Sequence, residues 1–314
     1  MKDERKGGHW QESASLSIDR KEFENFSLES FSLGKTAKRP ELSQRNEDRY
    51  IANDHYISVI DGATANPPIS LEGHSSGEYA AIIISRVMES VRPGMYGQEL
   101  INYISVRFQQ ALDTLPAEDV ARLREAPYAK PYASFAAATL LDDRVIITQL
   151  GDVGFRRNGG EVYDNAKEID NIHTRMRIKA INETRRRNPD LTTEELLNIG
   201  KKVILQSLKD QVQNYQNRPD QHLGYGTIDG QPVDPKFIRV FEFNAKDIST
   251  LEMFSDGYFK IGSQPTIQAW EEGFREVEAE DPYKIGRYPT VKGSTEDIFT
   301  DDRTVVIARF KPAT

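Results

Sequence analysis

The chain contains no cysteine among its 314 residues, which excludes disulfides, thiolate metal sites and a cysteine nucleophile. Phosphatase or protease chemistry that runs through a thiol is closed to it. No apolar run approaches the ~20 residues that cross a bilayer, and Met1-Lys2-Asp3-Glu4-Arg5-Lys6 has no apolar stretch behind it. The expected location is the cytoplasm, with no membrane partner. Histidine is scarce, and His9, His55, His74, His173 and His222 show no zinc-ligand spacing such as two on one helical turn. Positive charge is in the minority, 41 Lys and Arg against 49 Asp and Glu. A net charge of −8 argues against a nucleic-acid partner, whose phosphates require many cationic side chains.

What is present describes a globular protein. A hydrophobic fraction of 38% beside 29% charged residues is enough for a substantial core. Residues 1–22 are polar and without periodicity and are expected to form a disordered tail; 23–314 are expected to form one domain with a helical insertion at about 165–216.

Apolar periodicity then locates the elements. Phe26, Leu28, Phe31 and Leu33 predict a strand interrupted by a bulge. Residues 50–52 and 56–60 predict a hairpin over Asn53-Asp54-His55. Helices are predicted over 75–91, 97–115 and 117–124, then strands over 133–141 and 144–150, and a hairpin closed by Asn158-Gly159-Gly160. In the insertion, Ile169, Ile172, Met176 and Ala180 make one helical stripe and Leu197, Ile204, Leu208, Val212 and Tyr215 another, with Pro189 between. Arg175, Arg177, Lys179, Arg185, Arg186, Arg187, Lys201 and Lys202 give this segment a local basic excess. Strands over 237–243, 250–254 and 304–310 and a helix over 266–280 complete the chain. Strands at both ends with helices between suggest stacked layers of antiparallel sheet and helix rather than a parallel doubly wound sheet.

Four short acidic motifs each fall where a strand should end: Arg45-Asn46-Glu47-Asp48, Ile60-Asp61-Gly62, Ser255-Asp256-Gly257 and Thr300-Asp301-Asp302-Arg303-Thr304. Carboxylates brought to one rim of a sheet repel one another unless hard cations sit between them, so the set reads as a metal site. Oxygen-only donors suit Mg²⁺ or Mn²⁺. Two such ions roughly 3.5–4 Å apart can activate a shared hydroxide for attack on phosphorus without a protein nucleophile.

The ordered series Asn46-Glu47-Asp48, Val59-Ile60-Asp61-Gly62-Ala63-Thr64, Gly77-Glu78-Tyr79-Ala80-Ala81, Gly151-Asp152, Phe254-Ser255-Asp256-Gly257 and Asp301-Asp302-Arg303-Thr304 resembles the metal-dependent type 2C (PPM) serine/threonine protein phosphatases, bacterial-type members included. The resemblance implies an α+β fold, a four-layer α-β-β-α sandwich of two antiparallel sheets flanked by helices. It also implies two Mn²⁺ or Mg²⁺ ions, with hydrolysis of phosphoserine and phosphothreonine monoesters on proteins. Catalytic weight falls on Asp61, Asp256 and Asp301. Asp61 matches the carboxylate bridging the two metals, and Gly62 the residue lending its carbonyl to one of them. Glu47 matches a ligand of that same metal, with Asp48 behind it. Asp256 and Asp301 match the ligands of the other metal, Asp301 being preferred to Asp302 because Thr304 follows it by three. Asp152 matches an acid that binds a third, looser metal, although Lys260 stands where some members place a further acid for that ion.

Two departures matter. Ala63 replaces the histidine found in many eukaryotic members, and Ser43 occupies the place of the arginine that grips substrate phosphate, leaving Arg45 and Arg49 as the nearest substitutes. The implied partners are a phosphoprotein substrate and a cognate kinase pathway. The alternative is a catalytically weak pseudophosphatase acting as a regulatory or phosphoprotein-binding module.

Overall fold

The computed structural model describes residues 17–39, 45–65 and 68–311. Strands β1 (Asp19–Glu22) and β2 (Phe26–Leu33) open it, and β3 (Asp48–Ala52) and β4 (Tyr56–Gly62) form the hairpin over Asn53-Asp54-His55. A short ribbon, β5 (Ser70–Leu71) with β6 (His74–Ser75), leads into α1 (Ser76–Glu89), α2 (Gly97–Asp113) and α3 (Ala117–Glu125). Next come β7 (Ala133–Leu140), β8 (Arg144–Leu150), β9 (Gly154–Arg157) and β10 (Val162–Tyr163), then the helical hairpin α4 (Glu168–Arg187) and α5 (Thr193–Asn214). The chain closes with β11 (Arg239–Asn244), β12 (Thr250–Phe254), α6 (Ile267–Glu280) and β13 (Arg303–Phe310).

These strands make two principal antiparallel sheets, ordered β1-β2-β13-β12-β9-β10 and β11-β8-β7-β4-β3. Strand alternation explains how they stack, because successive side chains point to opposite faces. Ile57 and Val59 of β4, Ala136 and Ala138 of β7, and Val306 and Ala308 of β13 meet in a core between the sheets. Their neighbours face outward: Tyr56, Ile60, Phe135 and Ala137 pack under α1 and α2, and Val305 and Ile307 pack under Trp270 and Phe274 of α6. The result is a four-layer α-β-β-α sandwich with a separate apolar core at each of its three internal boundaries. Truncating a fully buried anchor such as Phe135 costs about 3–5 kcal/mol in such a core.

Three local expectations are corrected. β2 is continuous, pairing from Phe26↔Phe310 to Leu33↔Arg303 without a break. Phe31 leaves the parity of Phe26 and Leu28 because it serves the core beneath α6 whereas they serve the inter-sheet core, so no bulge is needed. In α4 the buried residues are Ile169, His173, Thr174, Arg177 and Ile181, while Met176 is exposed. The buried face carries polar groups, and the apolar pattern pointed one position aside. Finally, β1 lies within the stretch expected to be a tail: Asp19 to Glu22 pair with Ser30 to Ser27, an edge strand that backbone pairing and charged side chains sustain without burial. The remainder of that expectation, residues 1–16, lies outside the described residues.

Candidate active site

Antiparallel pairing decides which strand ends share an edge. β4 and β8 run in the same direction, each antiparallel to β7, so their C-termini emerge together. Across the inter-sheet core, the end of β12 and the start of β13 are adjacent for the same reason. Asp61 closes β4, Asp152 follows β8, Asp256 follows β12 and Asp301 precedes β13, and all four line one cleft with Gly62, Ser134, Tyr132, Lys167 and Lys292.

Two backbone features fix this edge. Gly151 has φ +81°, and a Cβ there would fall 2.3 Å from the Ser134 hydroxyl, so glycine alone makes the turn that delivers Asp152. A Cβ on Gly62 would lie 2.1 Å from the Gly77 carbonyl, so the first turn of α1 rests directly on the end of β4. The Gly62 carbonyl itself lies against Gly77.

Of the remaining expected residues, Glu47 and Asp48 sit behind the cleft rather than lining it. Asp48 pairs with Asp61 across the β3–β4 ladder, and its carboxyl accepts from the Ser255 hydroxyl at 2.6 Å. Glu47 accepts from Ser75 at 2.5 Å through one oxygen and from Lys35 at 2.6 Å and Thr64 through the other. Ser75 is also the N-cap of α1, so that cap and Glu47 hold each other. Arg49 donates to the Asn46 and Asp48 carbonyls and reaches Glu78 at 3.4 Å, and Arg45 is exposed; neither lines the cleft. Ser43 lies outside the described residues.

The sequence reading passed over three lysines. Lys167 approaches Asp152 at 2.8 Å, Lys292 approaches Asp301 at 2.5 Å, and Lys35 bonds Asp302 at 3.0 Å as well as Glu47. Asp302 also accepts from the Lys35 backbone N–H at 2.8 Å, so it is committed behind the cleft while Asp301 faces into it.

These partners sort the carboxyls. Burial opposes ionisation of Glu47, but Lys35 outweighs it and holds the group below the ordinary glutamate range. Burial likewise opposes charge on Asp152, where Lys167 and Ser134 prevail and lower its pKa. Asp61 is raised well above the usual range by burial and by Asp256, Asp48, Asp152 and Asp301. Asp256 is pushed up to about 7 by the protein crowded around it and by Asp301 and Asp152, although water reaches its side chain on the cleft floor. Tyr132 is raised to about 12, chiefly by burial, and stays a hydrogen-bond donor at neutral pH.

Asp61 and Asp256 share the cleft with Asp301 and Asp152, and Lys292 and Lys167 pair with the latter two. Hard oxygen donors held together at such cost fit a divalent cation such as Mg²⁺ or Mn²⁺. The fit is one of donor type and unneutralised charge, since among the described residues no group of three or more His, Cys, Asp or Glu side chains is already arranged to hold a metal ion.

No family model and no curated protein sequence matches the chain. Solved structures are similar to it in fold. The serine/threonine phosphatase PstP/Ppp of Mycobacterium tuberculosis is 15% identical, with 91% of this chain and 99% of that one covered at a TM-score of 0.46. The catalytic domain of PstP has also been solved in complex with 2 manganese ions. Stp1, a serine/threonine phosphatase of Staphylococcus aureus, is 13% identical over 93% of this chain and 99% of that one, TM-score 0.47. The serine-threonine phosphatase 2C of Toxoplasma gondii is 14% identical over 94% and 98%, TM-score 0.47.

Proposed function

We propose that the chain is a divalent-metal-dependent phosphoric monoester hydrolase acting on phosphoserine and phosphothreonine in proteins. The observation that carries this reading is the convergence of Asp61, Asp152, Asp256 and Asp301 on one cleft lined also by Lys167, Lys209 and Lys292. Asp61, Asp256 and Asp301 would hold Mg²⁺ or Mn²⁺, with Asp152 beside them. When bound, the ion supplies Lewis-acid activation of water and offsets charge on the phosphoryl group.

The chain's own residues handle the rest of the substrate. Lys292 keeps 41% side-chain exposure on the cleft, enough to turn from Asp301 to a phosphate oxygen. Lys167, 15% exposed and tied to Asp152, is a deeper and less mobile positive charge that favours the same anion. Tyr132 contributes a neutral O–H donor on the cleft wall. Lys292 and Lys167 thereby take the part that the sequence alone assigned to Arg45 and Arg49.

The test is hydrolysis of an aryl phosphate and of a phosphothreonine peptide with Mn²⁺, Mg²⁺ or EDTA. Asp61→Asn and Asp256→Asn should each lose roughly a hundredfold or more in kcat/KM, the loss of a few kcal/mol of transition-state stabilisation. Folded protein without metal-dependent turnover would overturn the reading. The pairing of Lys35, Lys167 and Lys292 with the acidic residues favours a second reading in that event, a phosphoprotein-binding module whose carboxylates are neutralised from within.

A further inference from the structure

Glu47 and Asp302 stand together behind the cleft, and Lys35 lies between them. Its ammonium has three protons and three partners: Glu47 at 2.6 Å, the Thr64 hydroxyl at 2.7 Å and Asp302 at 3.0 Å, with Asp301 at 4.0 Å. The side chain is only 17% exposed, and its own backbone N–H is fixed to the other Asp302 oxygen at 2.8 Å. Glu47 is equally committed, one oxygen to Ser75 and the other to Lys35 and Thr64. Lys35 is therefore a built part of the site and not a surface lysine resting on it.

We propose that Lys35 is a permanent internal cation that takes the place of one of two metal ions. The inference rests on the metal-dependent reading and narrows it. Glu47 is no longer a metal ligand, and the chain binds a single divalent ion, held on the cleft side by Asp61, Asp256 and Asp301. The chemistry favours this exchange. A fixed ammonium bridges the two carboxylates and offsets one of their two charges without needing free ion from solution, and its three directional donors match the three acceptors around it. A divalent ion entering the same space would meet Nζ at contact distance and would have to displace it from all three.

The experiment is metal stoichiometry, read without reference to turnover. Wild-type protein and the Lys35→Met and Lys35→Gln variants are loaded with Mn²⁺, freed of excess ion, and measured for bound manganese and for the electron paramagnetic resonance of Mn²⁺. Wild type should hold about one ion per chain with the signal of an isolated Mn²⁺. The variants keep most of the side chain's length but lose its charge, and should hold about two, with the broadened signal of a spin-coupled pair. Two ions in wild type would overturn the proposal whether or not the variants fold, and would leave the metal-dependent reading intact. One ion or none in a folded variant would also overturn it, because removal of the ammonium would not have opened a second position. Loss of metal-dependent turnover in wild type is a separate result, and it is the one that sinks the reading on which the inference rests.

Discussion

At the scale of single residues, the cleft is a place where like charges are held together against their repulsion. Asp61 and Asp256 are raised because burial and neighbouring carboxyls disfavour their charged forms. A carboxyl whose folded pKa lies above its unfolded value keeps its proton longer in the folded state. From the ordinary carboxylate range upward the folded chain then binds more protons than the unfolded one until the raised carboxyls ionise, so this contribution to stability falls as pH rises. In EDTA, wild type should lose melting temperature relative to Asp61→Asn as pH goes from 4.5 to 7.5. At pH 7.5 the asparagine variant should melt about 1–2 °C higher, the effect of roughly 1 kcal/mol in a chain of 314 residues. Adding Mn²⁺ should reverse the order, since wild type gains by binding and the variant does not. Equal melting in EDTA at pH 7.5 would mean that the crowding costs nothing. The aspartates themselves were legible from sequence because each sits in a short motif beside glycine, serine or threonine at a strand end. The three lysines were not, because Lys35 opens a short 3-10 turn, Lys167 caps α4 and Lys292 lies in a loop, and no motif beside any of them gives an ammonium group an address.

At the scale of elements, the strands of both sheets except β1 were readable from sequence, and α1, α2 and α6 from their apolar stripes. The helical hairpin was readable in outline but not in its packing. α4 buries His173, Thr174 and Arg177, and a periodicity argument that looks for apolar residues passes over them. Arg177 is 2% exposed and donates to the carbonyls of Lys284 at 3.1 Å, Thr290 at 3.0 Å and Tyr283 at 3.0 Å. Burial lowers its pKa to about 10, with Asp281 offsetting part of the cost, so it remains charged at neutral pH. This one guanidinium ties α4 to the loop that carries Lys292 two residues beyond Thr290. Arg177→Met leaves three carbonyls without their donor and should cost roughly 3 kcal/mol of local stability. Hydrogen exchange over residues 283–292 should speed up, and kcat/KM for an aryl phosphate should fall about tenfold as Lys292 loses its position. Faster exchange with unchanged turnover would show that the cleft does not depend on this tether.

At the scale of the whole molecule, the proposed function requires a protein of net charge −8 with a cleft rich in carboxylates to draw in a substrate that is itself anionic. The distribution of charge offers a route. α4 has 20 residues and leaves the cleft next to Lys167. At about 1.5 Å per residue it carries its far end ~30 Å away. That end is Arg185-Arg186-Arg187, all exposed, with Lys179, Asn182 and Glu183 lining a shallow depression beside Arg185 and Arg186. A small aryl phosphate in the cleft is too far from these arginines to feel them through salt water, where screening acts within about 10 Å. A phosphoprotein is large enough to touch both ends, and an acidic surface on it would be attracted to the basic tip while its phosphate occupies the cleft. Replacing all three arginines with glutamine should therefore raise KM several-fold for an acidic phosphoprotein and leave kcat, and both constants for the aryl phosphate, unchanged. Raising the salt should erase the difference between wild type and variant, because the tip acts through exposed charge. Equal losses on the two substrates would place the effect in the hairpin's packing against the cleft, and no loss on either would remove the tip from substrate selection.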